Sequence, residues 1–165
     1  MIIAYYTGSG GHRYRNFVEQ KDYTKLGVTY YHDKDKELEY LVPEKTYQQY
    51  PIVLTHCLNY NLVRQKFPND QDITFIIADR KASWCRKYLI KVSQNFTSDD
   101  EKYQTALNFI SELDNYYNKI PVEFGNAKVI DIKTDNSHFS NIMKQELLVY
   151  SSEHFEKAWN KFYNQ

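Results

Sequence analysis

Apolar and polar positions along this chain alternate between short continuous apolar runs and helical spacing. IIAYY (2–6) is an unbroken apolar run that stops at a glycine turn, and RYRNFVEQ behind it is amphipathic. This predicts a short buried strand, a glycine loop and a helix beginning at about Arg13. PIVLTHC (51–57) and ITFIIAD (73–79) are likewise continuous and rich in β-formers, the pattern of parallel strands covered on both faces. Between them NLVRQKF (61–67) is helix-like and PND is a turn. KASWCRKYLIKVSQNF then sets Trp84, Cys85, Tyr88 and Leu89 at helical offsets. SDDEKYQTALNFISELDNYY is a further helix, opened by Ser98 and carrying carboxylates in its first turn, where they face the positive end of the helix dipole. After a turn in KIPVEFGN, AKVIDIKTD is another strand, and the amphipathic helices SHFSNIMKQELL and SEHFEKAWNKFYN follow, separated near Tyr150. Residues 21–49 break the pattern into charge-rich pieces such as YYHDKDKELEY, either a hairpin turning at Asp33–Lys36 or a surface excursion. With no internal repeat, this β/α alternation predicts an α/β three-layer sandwich with a mostly parallel sheet, a single domain over 1–165 with 21–49 as a variable excursion.

Length and charge narrow the picture without adding a site. At 165 residues the chain can bury a core without staples, and with Lys+Arg and Asp+Glu equal at 21 its formal net charge is zero. That removes the global electrostatic argument for nucleic acid or an anionic membrane. The cysteines, Cys57 and Cys85, have no metal-ligand spacing and stand in apolar surroundings, so buried reduced thiols and a cytoplasmic setting are expected. MIIAYYTGSG lacks a basic n-region and a long apolar core, and no run reaches the length that spans a bilayer, which predicts a soluble, unprocessed protein.

Chemistry concentrates at the strand ends. Of the chain's 5 glycines, those at positions 8, 10 and 11 fall in the first loop. In a parallel sheet the loops after strand C-termini form the ligand crevice, and TGSGGHR, THC and ADRK all lie there. A glycine loop entering a helix can wrap backbone N–H groups around an anion, so Gly8, Ser9, Gly10 and Gly11 are the candidate cradle. The lysine of the Walker pattern is absent; His12, Arg13 and Arg15 bring positive charge nearby. His56 stands at a strand mouth where an imidazole can take a proton, although a lone histidine more often serves structure. Arg80 and Arg86 can make charge-assisted contacts to phosphate or sulfate oxygens, and Ser83 can donate a hydroxyl hydrogen bond; the competing view of ADRK is a solvated helix start. Asp70 or Asp72 with Asp79 and Lys81 also imitates a PD-(D/E)-x-K nuclease site, but only one strand fits between these acids, whereas that site spreads them over two.

Over residues 2–20 and 51–90 the chain resembles small sulfotransferase-like proteins of the P-loop superfamily, including short phage-encoded forms. Thr7-Gly8-Ser9-Gly10-Gly11-His12 is similar to their non-Walker phosphate loop, with Gly8 where the loop has its basic residue. VLTHC resembles their Lys-Thr-His segment, with Leu54 in place of the lysine, and KFPNDQDITFIIADRKASW resembles the strand and following loop whose arginine and serine hold the donor's 3'-phosphate. The resemblance implies sulfuryl transfer from 3'-phosphoadenosine 5'-phosphosulfate (PAPS) to a hydroxyl or amine of a small-molecule or carbohydrate acceptor, without a metal. It further implies His56 as catalytic base and Gly8, Ser9, Gly10, Gly11, His12, Arg13, Arg80, Ser83 and Arg86 as donor-binding residues. Two alternatives stay open: a divergent nucleoside or nucleotide kinase using Asp79 to assist Mg²⁺, and a non-catalytic nucleotide-binding or interaction protein.

Overall fold

A computed structural model describes residues 1–21, 52–69, 72–92, 98–149 and 152–164. Its elements are β1 (Ile2–Tyr5), α1 (Gly11–Val18), β2 (Val53–Thr55), α2 (Tyr60–Lys66), β3 (Ile73–Ile77), α3 (Arg80–Val92), α4 (Asp99–Tyr117), β4 (Lys128–Asp131), α5 (His138–Val149) and α6 (Glu153–Tyr163). The strands form one four-stranded sheet in the order β2-β1-β3-β4, and every pairing is parallel. The chain is therefore an α/β protein, as its apolar pattern predicts. The hairpin expected around Asp33–Lys36, Asp70 of the nuclease-like coincidence and the helix continuation past Val92 lie outside the described residues.

The strands lack polar alternation because helices cover both faces of the sheet. Successive side chains point to opposite faces. Ile2, Ala4, Val53, Ile73 and Phe75 join a core with Val63 of α2, Phe67 just past its end, Trp84 and Tyr88 of α3, Ile110 of α4 and Phe155 of α6. Ile3, Tyr5, Leu54, Ile76 and Ile130 meet Tyr14 of α1 and Phe139, Met143 and Leu147 of α5 on the other face. The register keeps the faces aligned, since Ile2 stands opposite both Val53 and Ile73. A one-residue slip would turn every buried side chain to the wrong core.

Local chemistry sets the element ends. Asn59, Asp79, Ser98, Ser137 and Ser152 each accept the backbone N–H three residues on and open α2, α3, α4, α5 and α6. Ser98 and Glu101 complete a capping box, a contribution of about 1 kcal/mol. β4 stops at Asp131 because its side chain accepts the Lys133 N–H while its carbonyl accepts from Asp135, which turns the chain away from the sheet. Cys57 and Cys85 are buried and form no disulfide, and burial pushes the Cys85 thiol up to about 11. Among the described residues no helix is long and apolar enough to cross a membrane.

The strand order places the site. From β1 the chain goes to β2 on one side, and from β3 it goes to β4 on the other. The loops leaving β1 and β3 therefore part company, and in open parallel sheets that divergence makes the crevice at the strand C-termini.

Candidate functional site

The loop from Tyr6 to Gly10 leaves β1 at that crevice. It is folded by its own backbone: the Ser9 N–H and hydroxyl both bond to the Tyr6 carbonyl, at 3.0 and 2.7 Å. Gly8 and Gly10 adopt φ of +86° and +93°, the left-handed region that glycine enters without strain. The α1 helix starts at Gly11, two residues before Arg13, because Gly10 in that conformation is its N-cap. Unlike the other five helices, α1 has no capping side chain, and its first turn carries no acid. The N–H groups of Gly11, His12 and Arg13 precede its first intrahelical bond, from Tyr14 N–H to the Gly10 carbonyl at 2.8 Å. This end of α1 thus keeps its partial positive charge without an internal carboxylate cap.

The glycines are also fixed by packing. A Cβ on Gly8 would stand 2.1 Å from the Ser83 carbonyl oxygen, one on Gly10 2.5 Å from Met143 Cε, and one on Gly11 2.3 Å from the Tyr5 ring. The loop is wedged between the first turn of α3, the middle of α5 and the end of β1. A Gly10→Val change would consequently disturb α5 packing as well as any ligand, and lost nucleotide affinity in that variant would not by itself diagnose a cradle.

Ser83 is fully buried beside Gly8, and its hydroxyl has no hydrogen-bond partner among the described residues. An orphaned buried hydroxyl is costly unless something supplies the bond. Asp79 uses its carboxylate to cap α3 through the Ala82 N–H at 3.1 Å. Arg80 is held by the Asn118 side-chain carbonyl at 3.1 Å and lies over the rings of Tyr6, Tyr117 and Trp84 at 5.8, 5.8 and 6.0 Å. Asp72 and Asp79 flank β3 at opposite ends, roughly 20 Å apart at the rise of an extended strand. Among the described residues no group of three or more metal-ligating side chains assembles.

On the other side of the loop, Thr55 Oγ accepts the Cys57 N–H at 3.1 Å and closes a small turn with His56 at its tip. His56 Nδ1 is 3.1 Å from the Tyr5 carbonyl oxygen. A carbonyl can only accept, so Nδ1 carries the proton and Nε2 the lone pair of the neutral ring. The imidazole rests against the Tyr5 ring at 4.6 Å, and His12 meets the same ring edge-on at 6.0 Å. Tyr5 thereby gathers His56, His12 and Gly11 around one aromatic ring.

Arg13 and Arg86 meet a side chain that the sequence reading passed over. Glu146 of α5 pairs with the Arg13 guanidinium and lies 3.6 Å from Arg86 Nη2. Arg86, buried in α3, also donates to the Gly8 carbonyl at 3.3 Å. The signal was present in the spacing: Phe139, Met143 and Leu147 form the buried stripe of α5, and Glu146 borders it. Arg15 points elsewhere, buried and paired with Glu19. A cavity of about 210 Å³ lined by Asp99, Asp100, Tyr103, Glu153, His154 and Lys157 belongs to the far end of α4, roughly 27 Å along the helix from Tyr117.

Tyr117, at the end of α4, is the other residue missed; its hydroxyl accepts the Thr7 N–H and ties the loop to the helix layer. Burial pushes its phenol up to about 12. An unfolded tyrosine ionises near 10, so the stability held below pH 10 is lost as pH rises towards 12, by up to about 3 kcal/mol. Tyr117→Phe is expected to cost about 1–3 kcal/mol at neutral pH, by stranding the Thr7 N–H, and to flatten the alkaline slope. Urea unfolding at pH 7 and above pH 10 measures both; an unchanged slope removes Tyr117 as its source.

Compared with known protein families, curated proteins and solved structures, the chain matches none.

Proposed function

We propose that this protein transfers a sulfuryl group from PAPS to a hydroxyl or amine of a small-molecule or carbohydrate acceptor. The observation that carries the reading is the bond from His56 Nδ1–H to the Tyr5 carbonyl, which leaves Nε2 as the basic nitrogen at a strand tip beside the glycine loop. The order of strands supports it as well, because β1 and its loop lie between the strand leading to His56 and the strand leading to Arg80.

In this scheme the uncapped start of α1 and the Gly8 to Gly11 backbone hold the 5'-phosphosulfate. The orphaned Ser83 hydroxyl and Arg80 hold the 3'-phosphate, and His12, Arg13 and Arg86 add positive charge. As the acceptor oxygen or nitrogen bonds to sulfur and the bond from sulfur to the phosphate oxygen breaks, His56 Nε2 takes the acceptor proton. The adenosine bisphosphate leaves with the bond electrons. Positioning and stabilisation of oxyanion charge supply the rate enhancement, and no metal is needed.

A divergent nucleotide kinase draws less support, because Asp79, its candidate Mg²⁺ helper, is spent on capping α3. A non-catalytic nucleotide-binding or interaction protein is favoured by one observation, the Glu146 carboxylate seated between Arg13 and Arg86. Calorimetric titration with PAPS, its desulfated product, ATP and ATP-Mg²⁺ separates the three. Binding restricted to the 3'-phosphorylated nucleotides is the expected result. A preference for ATP-Mg²⁺ would favour the kinase, and no binding would favour the interaction protein.

A further inference from the structure

The start of α1 carries no acidic residue, the first turn of α3 has only its Asp79 cap, and both come together at the loop with Arg13 and Arg86. Glu146 is the carboxylate that meets both arginines. The side chains are 13% and 6% exposed for Arg13 and Arg86 and 23% for Glu146, so water screens the cluster only partly. Glu146 Oε2 is itself buried and makes no hydrogen bond among the described residues, even though it is the oxygen facing Arg86. The Oε2 oxygen is therefore poorly matched to Arg86. Poor matching of this kind is weakly stabilising for the fold, since desolvation offsets much of the attraction.

We propose that Glu146 is a built-in competitor for the anion site: its carboxylate neutralises the arginines beside the glycine loop and is displaced when a phosphate- or sulfate-bearing ligand enters. The inference rests on the anion cradle of the proposed function and names its regulation. A singly charged anion that takes the place of the Glu146 carboxylate exchanges one negative charge for another and gains little. A ligand with two or more negative charges gains over it. Glu146 thus sets a charge threshold that favours bisphosphates and pyrophosphates over a carboxylate or a sulfate monoester. Because α5 also holds Met143 against Gly10, movement of Glu146 is coupled to the packing of the loop.

The test compares wild type with Glu146→Gln, using inorganic pyrophosphate and singly charged methyl sulfate as probes in calorimetry at low salt. Removing the competing charge is expected to tighten pyrophosphate binding about fivefold to tenfold and to make methyl sulfate binding measurable. Unchanged or weaker pyrophosphate binding in a folded variant overturns the proposal and leaves Glu146 a structural partner of Arg13. Should Glu146→Gln fail to fold, the wild-type protein decides: pyrophosphate must shift the Arg86 Nε–H resonance and the Glu146 side-chain carboxyl carbon together, and unmoved signals overturn the idea. Absence of pyrophosphate binding in both chains overturns it along with the cradle. A PAPS arm separates this outcome from the transferase reading. Tighter pyrophosphate binding without a preference for PAPS keeps the competitor and removes the donor, whereas PAPS turnover with unchanged Glu146→Gln affinities does the reverse.

Discussion

Gly8→Ala is expected to lower stability by about 3–5 kcal/mol, enough to remove a large share of what holds an ordinary domain folded. Two independent costs add at this position. The backbone is left-handed, at φ +86°, where a side chain costs roughly 1 kcal/mol. The new methyl would also sit 2.1 Å from the Ser83 carbonyl oxygen, a backbone atom of α3. That carbonyl cannot retreat without disturbing the Asp79 cap, which holds Ala82 and Ser83 in the same turn. Gly10→Ala is the comparison. Its φ is similar, but the atom it meets is Met143 Cε, the far end of a flexible side chain. A loss of about 1–2 kcal/mol is expected there, partly restored by adding Met143→Ala. Urea denaturation of the three variants measures the difference, and a Gly8→Ala protein within about 0.5 kcal/mol of wild type would sink the claim that loop and α3 are locked together.

On the proposed transferase reading, His56→Ala is expected to reduce sulfuryl transfer by about 10²- to 10⁴-fold, the usual contribution of a positioned general base. Donor affinity should stay near that of wild type, because His56 lies on the Tyr5 side of the loop while Arg80 and Ser83 lie on the α3 side. The structural consequence should be small. His56 follows a three-residue strand, and Thr55 and Cys57 on either side of it keep their own turn bond, so thermal unfolding of the variant is expected within about 1 kcal/mol of wild type. Turnover and donor titration on the same preparation decide it. Wild-type turnover in His56→Ala would remove the base, and a parallel loss of donor affinity would reassign His56 to binding.

Much of this protein is legible in its local pattern because the relevant forces are local. IIAYY and ITFIIAD announce strands covered on both sides, since an all-apolar run of that length has no solvent face. Ser98 followed by Asp99, Asp100 and Glu101 announces a helix start, and the capping box forms there. The positions of TGSGG, THC and ADRK after strand ends follow from the same strand assignments, so the sequence places all three near one edge of the sheet.

The relationships between those tips were not legible, because they depend on which helix lands beside which loop. The spacing of glycines at 8, 10 and 11 reads as a phosphate cradle, yet each glycine is also demanded by a different neighbour: Ser83 of α3, Met143 of α5 and Tyr5 of β1. Arg13 and Arg86 read as anion ligands, and the fold brings to them a carboxylate more than fifty residues further along the chain. Tyr117 reads as the last apolar residue of a helix, and tertiary packing makes it the acceptor for the Thr7 N–H. The element types and the parallel α/β class follow from the local sequence alone, since hydrophobic periodicity, caps and glycine conformation act within a few residues. The strand order, the contact of His56 Nδ1 with the Tyr5 carbonyl and the pairing of Glu146 come from the tertiary fold, because these arise where chain segments distant in sequence exclude water together.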